Sequence, residues 1–188
     1  MGKIRMSPRR IVYPTPAALI TCLDEGGRPN IITLAEVAHP CIANPTMMML
    51  AIAPERYSNG LIRRTREFVV NFPTADLVEK VDGCGCVSGR DVDKFERFGL
   101  TPLPACHVKP PLIKECPVNV ECVLKSVRPI GYHDFFMGEV VAVHVDEDVL
   151  DERGGIIPEK LNPLVFVLGE YWNVGRRLGR HGFSRGKR

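Results

Sequence analysis

The sequence predicts a single β-rich domain, a barrel or sandwich with a few helical inserts. Its 188 residues are 45% hydrophobic and 25% charged, which is the composition of one globular domain. The apolar runs are short and separated by turn residues, whereas a doubly wound sheet would alternate its strands with long helices. We therefore expect one domain over residues 1–188, with its core at about 9–172 and a basic tail at 173–188.

A β-hairpin and two buried strands are predicted in the first part of the chain. Residues 16–23 and 30–38 are apolar runs, and the glycine-containing turn between them is typical of a hairpin. Residues 46–53 are almost wholly apolar, and residues 67–72 are similar. Short continuous apolar runs of this length favour strands that lie inside the fold.

Three short helices are predicted at residues 58–66, 74–81 and 91–98. Each begins with residues that can cap a helix, and apolar residues follow at helical spacing. The expected N-caps are Ser58 or Asn59 for the first helix, Thr74 for the second and Asp91 for the third. Residues 102–117 contain many prolines and are expected to cross the surface as an extended loop.

Strands return in the last part of the chain, at residues 118–126, 133–146 and 163–169. Alternation with a period of two predicts that apolar residues line one face of the first of these strands, and that Asn119, Glu121 and Lys125 lie on the other. The second is the longest strand candidate, and one face of it is expected to carry Phe135, Met137, Val141, Val143 and Val145.

The formal net charge of +3 comes from the two ends of the chain. Residues 173–188 carry six basic residues and no acidic residue, and residues 1–10 carry four basic residues. The rest of the chain has 15 basic and 22 acidic residues. Basic ends are typical of solvated tails, so we expect no nucleic-acid partner. The longest apolar runs fall far short of the ~20 residues that span a bilayer, so we expect no membrane segment either.

Seven cysteines, an odd number, occur in a sequence whose basic first residues are not followed by an apolar signal segment. Free thiols in a reducing cytoplasm are therefore expected. Cys84 and Cys86 are a close pair, but their spacing differs from that of zinc and thioredoxin-type sites, so no metal site is predicted. Buried structural thiols and a strained redox disulfide are both open interpretations of this pair.

A candidate anion site lies at residues 54–60, between a buried strand and a short helix. The start of a helix offers unpaired N–H groups and the positive end of the helix dipole, and both bind anions. Arg56 adds a guanidinium suited to phosphate oxygens, Ser58 adds a hydroxyl, and Gly60 permits close approach. An ordinary capped helix with a surface arginine has the same pattern, so the pattern alone leaves both interpretations open.

Three further features could contribute to a site. Lys94 lies in the first turn of a predicted helix, where a cation gains nothing from the dipole, which indicates an anionic partner or a solvated face. His133 precedes an apolar strand and could donate to a ligand oxygen or serve a structural role. Tyr171 and Trp172 could cover a planar ring, plug the core or contact another subunit. The sequence lacks the motifs of Rossmann and P-loop nucleotide sites.

Six stretches match a known pattern when they are taken together and in order. They lie at residues 13–16, 27–35, 56–58, 67–73, 84–95 and 169–172, and the stretch from Cys84 to Phe95 is the most specific. The chain resembles the flavin reductase-like family of FMN-binding split barrels over about residues 9–184, in particular its flavoredoxin-like branch. This resemblance implies a six-stranded antiparallel Greek-key barrel with helical inserts, a homodimer, and FMN held near the dimer interface.

The resemblance also implies which residues contact FMN. They comprise a polar contact to the flavin at Asn30, backbone along the isoalloxazine edge at Thr33, Leu34 and Ala35, and a phosphate-side loop of Arg56, Tyr57 and Ser58. Lys94 and His133 would add a basic contact and an imidazole, and Phe166, Tyr171 and Trp172 would border the ring. Glu36 departs from the pattern, because related chains can carry Trp there. A carboxylate directed at the flavin would lower its reduction potential, whereas one directed at solvent would not.

The function implied by the resemblance is that of an FMN-binding flavoprotein oxidoreductase. Its electrons would come from NAD(P)H or a protein electron carrier and pass to flavin, ferric iron or a protein acceptor. The flavin supplies the chemistry, so no catalytic residue is predicted. A non-catalytic FMN-binding protein for storage or sensing is the alternative.

Overall fold

The computed structural model describes residues 2–186, which form twelve strands and four α-helices. The strands are β1 (Thr15–Pro16), β2 (Ala18–Leu23), β3 (Pro29–Leu34), β4 (Val37–Ile42), β5 (Thr46–Ile52), β6 (Glu67–Phe72), β7 (Pro102–Leu103), β8 (Leu112–Ile113), β9 (Val118–Ile130), β10 (His133–Val145), β11 (Leu164–Val167) and β12 (Glu170–Asn173). The helices are α1 (Tyr57–Thr65), α2 (Val78–Cys86), α3 (Lys94–Phe98) and α4 (Pro158–Leu161). Among the described residues, none of these helices combines the length and apolarity needed to cross a membrane.

The main sheet has seven antiparallel strands in the order β3-β2-β6-β9-β10-β5-β4. Its edge strands β3 and β4 are joined by Ala35 and Glu36 alone, so the sheet has to curl until its two edges meet. This arrangement confirms the predicted antiparallel split barrel with helical inserts, with seven strands in the sheet where six were expected. A smaller sheet, β1-β11-β12, packs beside the barrel.

Two apolar clusters hold the fold together. The interior of the barrel contains fully buried residues such as Ile20, Met48, Phe68 and Phe136, and α1 closes it with Leu61 and Ile62. A second cluster covers the outer face of β2 and β3 with α2 and α3, which contribute Val81, Cys84 and Phe95. Strand β3 is therefore covered on both faces, and its end lies where α1, α2 and α3 approach one another.

The predicted helices form, but their first residues differ. The N-cap of α1 is Arg56, and both Ser58 and Asn59 are buried inside the helix, so the predicted cap at these residues was wrong. The N-cap of α3 is Asp93 and not Asp91, because the Asp93 carboxylate accepts the N–H groups of Phe95 and Glu96 at 2.9 and 3.1 Å. The second helix predicted at residues 74–81 is a 3₁₀ turn at Ala75–Leu77 followed by the first residues of α2, and its N-cap is Thr74 as predicted.

The polar face of β9 is buried at two of its three residues, whereas Lys125 is exposed. Glu121 is 0% exposed, and its carboxylate accepts three backbone N–H groups of residues 106–108 at 2.6–3.0 Å and contacts His144 Nε2 at 2.6 Å. Asn119 is 6% exposed and donates to Asn71 Oδ1 at 2.8 Å. The proline-rich segment folds over this face and supplies backbone partners for the polar side chains, which the alternating pattern does not reveal.

The face of β10 predicted to hold its apolar residues is divided by a bulge. Phe136 and Gly138 face the barrel interior, and Phe135 and Met137 lie half-buried on the outer face. The register shifts between Val140 and Ala142, so that Val143 pairs with Val120 of the barrel interior. Val141 and Val143 are 37% and 56% exposed. The predicted alternation therefore does not continue through the strand, and its apolar residues do not share one face.

Candidate functional site

A cavity of about 490 Å³ opens where β3 ends, α1 begins and the segment of residues 84–90 crosses between α2 and α3. Its volume lies within the range of small-molecule sites. Nine of the thirteen residues predicted to contact a cofactor line it: Asn30, Thr33, Leu34, Glu36, Arg56, Tyr57, Ser58, Lys94 and His133. Ala35, Phe166, Tyr171 and Trp172 do not line the cavity.

The start of α1 forms one end of the cavity. Arg56, the N-cap, has extended backbone (φ −70°, ψ 132°), and no side chain caps the helix within the described residues. The amides of the first turn are therefore free of side-chain acceptors, which is the arrangement that binds anions. Ser58 is 2% exposed, and its Oγ accepts a hydrogen bond from Asn30 Nδ2 at 2.8 Å. Its own O–H therefore remains available as a donor.

Asn30 connects the end of the hairpin to this helix. Its side chain is buried, and within residues 2–186 its Oδ1 has no hydrogen-bond donor. A β-carbon at Gly89 would lie 1.8 Å from that oxygen, so only glycine lets the loop cross here. Arg28 Nη2 donates to the Gly89 carbonyl at 3.1 Å and holds the loop in place. A buried acceptor without a donor beside a cavity is a contact that a ligand can complete.

Lys94 lies under the cavity and is 5% exposed. Its Nζ donates to the carbonyl groups of Ile31 and Cys84 at 2.7 and 2.6 Å, which ties β3 to the end of α2. The pKa of Lys94 is lowered chiefly by burial, and the positive charge of Arg56 also lowers it. An ammonium has three N–H donors, so one remains for the cavity, and no carboxylate pairs with it in the described part of the chain.

A buried polar network fixes α1 against the beginning of β10. Asn59 Nδ2 donates to Asp134 Oδ2 at 2.8 Å, and Arg63 pairs with the same oxygen at 2.7 Å. Arg63 Nε also donates to Asn59 Oδ1 at 2.9 Å. The Arg63 guanidinium and then Asn59 lower the pKa of Asp134. Since His133 precedes Asp134, the network also anchors the backbone next to His133, which lines the cavity.

The rim beside His133 contains two residues that the sequence did not indicate. Tyr132 packs edge-on against the His133 ring, with 5.0 Å between ring centroids, and its hydroxyl donates to Glu55. This hydrogen bond lowers the pKa of Glu55. Both residues line the cavity, but each stands alone in the sequence, so no spacing pattern could have identified them.

Glu36 lines the other end of the cavity, and its charge is paired. Arg10 Nη2 lies 3.0 Å from Glu36 Oε1, and the Arg10 guanidinium stacks on Phe166, 5.2 Å from the ring centroid. Both ionic side chains remain about two-fifths exposed. Phe166, which does not line the cavity, therefore supports the arginine that pairs with Glu36, and this cation from the N-terminal segment offsets the charge of Glu36.

The pair Tyr171 and Trp172 lies further from the cavity. Tyr171 packs edge-on against Phe166 at 5.3 Å, and burial together with Asp82 raises its pKa to about 12. Trp172 is 53% exposed, and its indole N–H donates to Glu170 at 3.1 Å. The structure of this single chain does not bring the pair over the cavity.

The two close cysteines line the cavity as free thiols. Burial raises the pKa of Cys84 to about 11, so its thiol is a poor nucleophile. Cys86 is exposed at the end of α2. A structural role for Cys84, one of the two interpretations left open by the sequence, agrees with its position in the cluster between β3 and α2.

Comparison with known proteins agrees with this geometry. Residues 9–175 match the family model described as "Flavin reductase like domain". The structure is similar to flavoredoxin of Desulfovibrio vulgaris (Miyazaki F), with a TM-score of 0.90 and 32% identity over 99% of this chain and 100% of that chain. Flavoredoxin from Methanosarcina acetivorans gives a TM-score of 0.89 and 31% identity over 99% and 98%. An uncharacterized protein of Archaeoglobus fulgidus is 38% identical over 70% of this chain and 73% of its own length. The chain therefore belongs to the flavin reductase-like family, in its flavoredoxin-like branch, which assigns it a flavin-linked redox function.

Proposed function

We propose that the protein is an FMN-binding flavoprotein oxidoreductase. One observation carries the proposal: an uncapped helix start, the cation Arg56 and a buried hydroxyl converge at one end of a cavity of about 490 Å³. A phosphate monoester matches that end, because its oxygens accept hydrogen bonds and its charge is favoured at a helix N-terminus. The longer part of the cavity, along β3, has room for the planar ring system.

The donors and acceptors present fit this cofactor. Ser58 O–H and the first-turn amides of α1 would hold the phosphate, with Arg56 beside them. Asn30 Oδ1, which is buried and without a donor among the described residues, would accept from a hydroxyl of the ribityl chain. Lys94 would direct its remaining N–H at an electron-rich edge of the flavin or at the phosphate. Backbone of Thr33, Leu34 and Ala35 would run along the ring.

When bound, FMN accepts a hydride or single electrons and passes electrons on, so the protein supplies binding, orientation and electrostatics. NAD(P)H or a protein electron carrier would be the donor, and flavin, ferric iron or a protein would be the acceptor. The half-exposed pair of Arg10 and Glu36 leaves one end of the cavity open to a donor. His133, which its neighbours hold at the rim, would contact whichever donor enters.

The absorbance spectrum tests the proposal. Purified protein incubated with FMN should retain the flavin absorption band after gel filtration, and protein that stays colourless would contradict it. Anaerobic addition of NADH or NADPH should then bleach the band if pyridine nucleotides are donors. A bound flavin that neither nucleotide nor dithionite-reduced carrier protein can reduce would support the storage or sensor alternative.

A mutation at the helix start tests the phosphate contact. Replacing Ser58 by Ala removes a hydrogen bond to a charged group, so FMN should bind about tenfold more weakly. Ser126→Ala is a matched control, because Ser126 is an exposed residue of β9 outside the cavity. Equal affinities of the two variants would remove Ser58 from the site.

We also propose that the protein is a homodimer. The outer face of β10 presents Phe135 and Met137, and Met47 and Met49 of the paired strand β5 continue it. An apolar surface of this kind is typical of a protein–protein interface. A second copy of the chain would cover this surface.

A further inference from the structure

A cluster of three side chains that can ligate a metal lies against the outer face of β9, outside the flavin site. It consists of Cys106, Glu121 and His144, and one ligand atom of each lies within 4.8 Å of the other two. Glu121 is 15 positions from Cys106 and 23 from His144, so no spacing motif marks the group, and the sequence led us to expect no metal site. None of the three residues lines the cavity proposed for the flavin, which is the flavin cavity below. The proposed flavin chemistry therefore leaves this cluster unused.

The backbone around Glu121 holds its carboxylate in place. The residue is 0% exposed, its Oε2 accepts the N–H groups of His107 and Val108 at 2.6 and 3.0 Å, and its Oε1 accepts that of Cys106 at 2.8 Å. Among residues 2–186 no lysine or arginine pairs with this carboxylate, and His144 Nε2 lies 2.6 Å from Oε1. A buried carboxylate is costly without a compensating charge, so a cation beside Oε1 would be favoured.

His144 and Cys106 leave the cluster accessible from solvent. The His144 side chain is 31% exposed, and Cys106 is an exposed free thiol in the irregular segment that follows β7. A neutral imidazole can carry its proton on Nδ1, which leaves the lone pair of Nε2 for an ion beside Glu121. The thiolate is the form of cysteine that ligates metals, so the proton of the Cys106 thiol would pass to solvent when an ion binds. An ion can therefore enter from this side, and a water molecule can complete its coordination.

We propose that Cys106, Glu121 and His144 bind a Zn²⁺ ion, with water as the fourth ligand. Zn²⁺ is bound by thiolate, imidazole and carboxylate groups, whereas Mg²⁺ and Ca²⁺ prefer oxygen ligands. The thiolate and the carboxylate together balance the two positive charges of the ion. Zn²⁺–ligand bonds of about 2.0–2.3 Å place tetrahedral ligand atoms about 3.3–3.6 Å apart, so Oε1 and Nε2 would separate by about 0.7 Å. The ion would fasten the proline-rich segment to β9 and β10.

Titration of untagged, metal-free protein with Co²⁺ tests the proposal. Co²⁺ takes the place of Zn²⁺ in tetrahedral sites, and a thiolate ligand adds a charge-transfer band to the difference spectrum against the same protein without Co²⁺. Cys106→Ser and His144→Gln each remove one ligand at a position that is open to solvent, so both variants should fold. Cys41→Ser and His181→Gln are the matched controls, because Cys41 is a partly exposed free thiol of β4 and His181 is an exposed residue of the basic tail.

We expect one Co²⁺ per wild-type chain, with the thiolate band, and its displacement by one equivalent of Zn²⁺. Loss of a residue that merely orients a metal ligand weakens binding 10- to 100-fold, so Cys106→Ser and His144→Gln should weaken Zn²⁺ binding by about 100-fold or more. The thiolate band should disappear in Cys106→Ser, and Zn²⁺ should raise the melting temperature of the wild type and of both controls only.

Three results would overturn the proposal. They are a wild type that binds neither ion, a thiolate band that persists in Cys106→Ser, and controls that lose Zn²⁺ affinity as much as the cluster variants do. The proposal does not depend on the flavin, so FMN affinity, measured in parallel by calorimetry, should be the same for the wild type and all four variants. A loss of FMN binding in Cys106→Ser or His144→Gln would also contradict it, because these residues would then act on the flavin cavity.

Discussion

Replacing Lys94 by methionine removes a buried charge and keeps most of the volume of the side chain. In the wild type the Nζ atom donates to the carbonyl groups of Ile31 and Cys84, and one N–H remains for the cavity. The variant loses all three donors. The two carbonyl groups lose their partner, but the chain no longer bears the cost of burying an ammonium without a carboxylate. Since these effects oppose each other, we expect the variant to fold and to report on binding.

The loss of affinity can be bounded from the contacts. A hydrogen bond to a charged group contributes about 1.5–3 kcal/mol, so FMN should bind roughly ten- to hundredfold more weakly to Lys94→Met. Affinity should also depend on pH, because burial lowers the pKa of Lys94. As the pH rises through that lowered value, the ammonium loses its proton and the wild type should bind FMN less tightly. The variant should lack this alkaline decrease.

Calorimetric titration with FMN between pH 7 and 10 measures both effects. Lys80→Met is a matched control: Lys80 donates to the Gly99 carbonyl at 2.7 Å, but it is only half-buried and does not line the flavin cavity. The control should keep the affinity and the pH profile of the wild type. If Lys94→Met binds FMN as tightly as the control, or keeps the alkaline decrease, the role given to this ammonium is wrong.

Three further predictions address stability and assembly. Asp134→Asn weakens the pairing with Arg63 and should lower the free energy of unfolding by about 1–3 kcal/mol in urea titrations. The pKa of Asp134 is lowered in the folded state, so its ionised carboxylate stabilises the wild type at pH values above the unfolded-state pKa of about 3.9. This stability is lost as the pH falls through the folded-state pKa, and the variant should lack that pH dependence. Glu121→Gln replaces one carboxylate oxygen by an amide N–H group that faces backbone N–H donors, so the free energy of unfolding should fall by about 1–3 kcal/mol. Thermal melts measure this loss, and an unchanged melting temperature would contradict the role given to the buried network. Met137→Asp, on the outer face of β10, should reduce the mass in light scattering from dimer to monomer, and Leu178→Asp, an exposed tail residue, should not.

Much of the fold follows from local patterns. The hairpin at β2 and β3 and the buried strands β5 and β6 form where short apolar runs and turn residues predict them. The N-cap of α3 was predicted at the wrong residue, since Asp91 and Asp93 are both suited to capping and the choice depends on where the preceding loop enters the helix. The basic tail was predicted from composition, and its last two residues lie outside the described residues.

In the candidate site, too, local patterns predicted some features and not others. Arg56, Ser58 and Lys94 were indicated by the chemistry of a helix start and an isolated cation, and all three line one cavity. Their separate environments could not be predicted. Lys94 donates to carbonyl groups of two other elements, and Ser58 accepts a hydrogen bond from Asn30, which lies 28 positions away. Arg56 forms no ion pair in the described part of the chain.

The sequence by itself determined where strands and helices form, because turn residues and apolar periodicity act over a few neighbouring positions. It also determined the alternation at the start of β9, where Val120 and Cys122 lie on the face opposite to Asn119 and Glu121. The tertiary structure alone decided what covers each face: a proline-rich segment lies over Glu121, and the bulge between Val140 and Ala142 decides which face carries Val143. The physical reason is that period-two alternation separates two faces without specifying the neighbour of either, and that neighbour comes from distant parts of the chain.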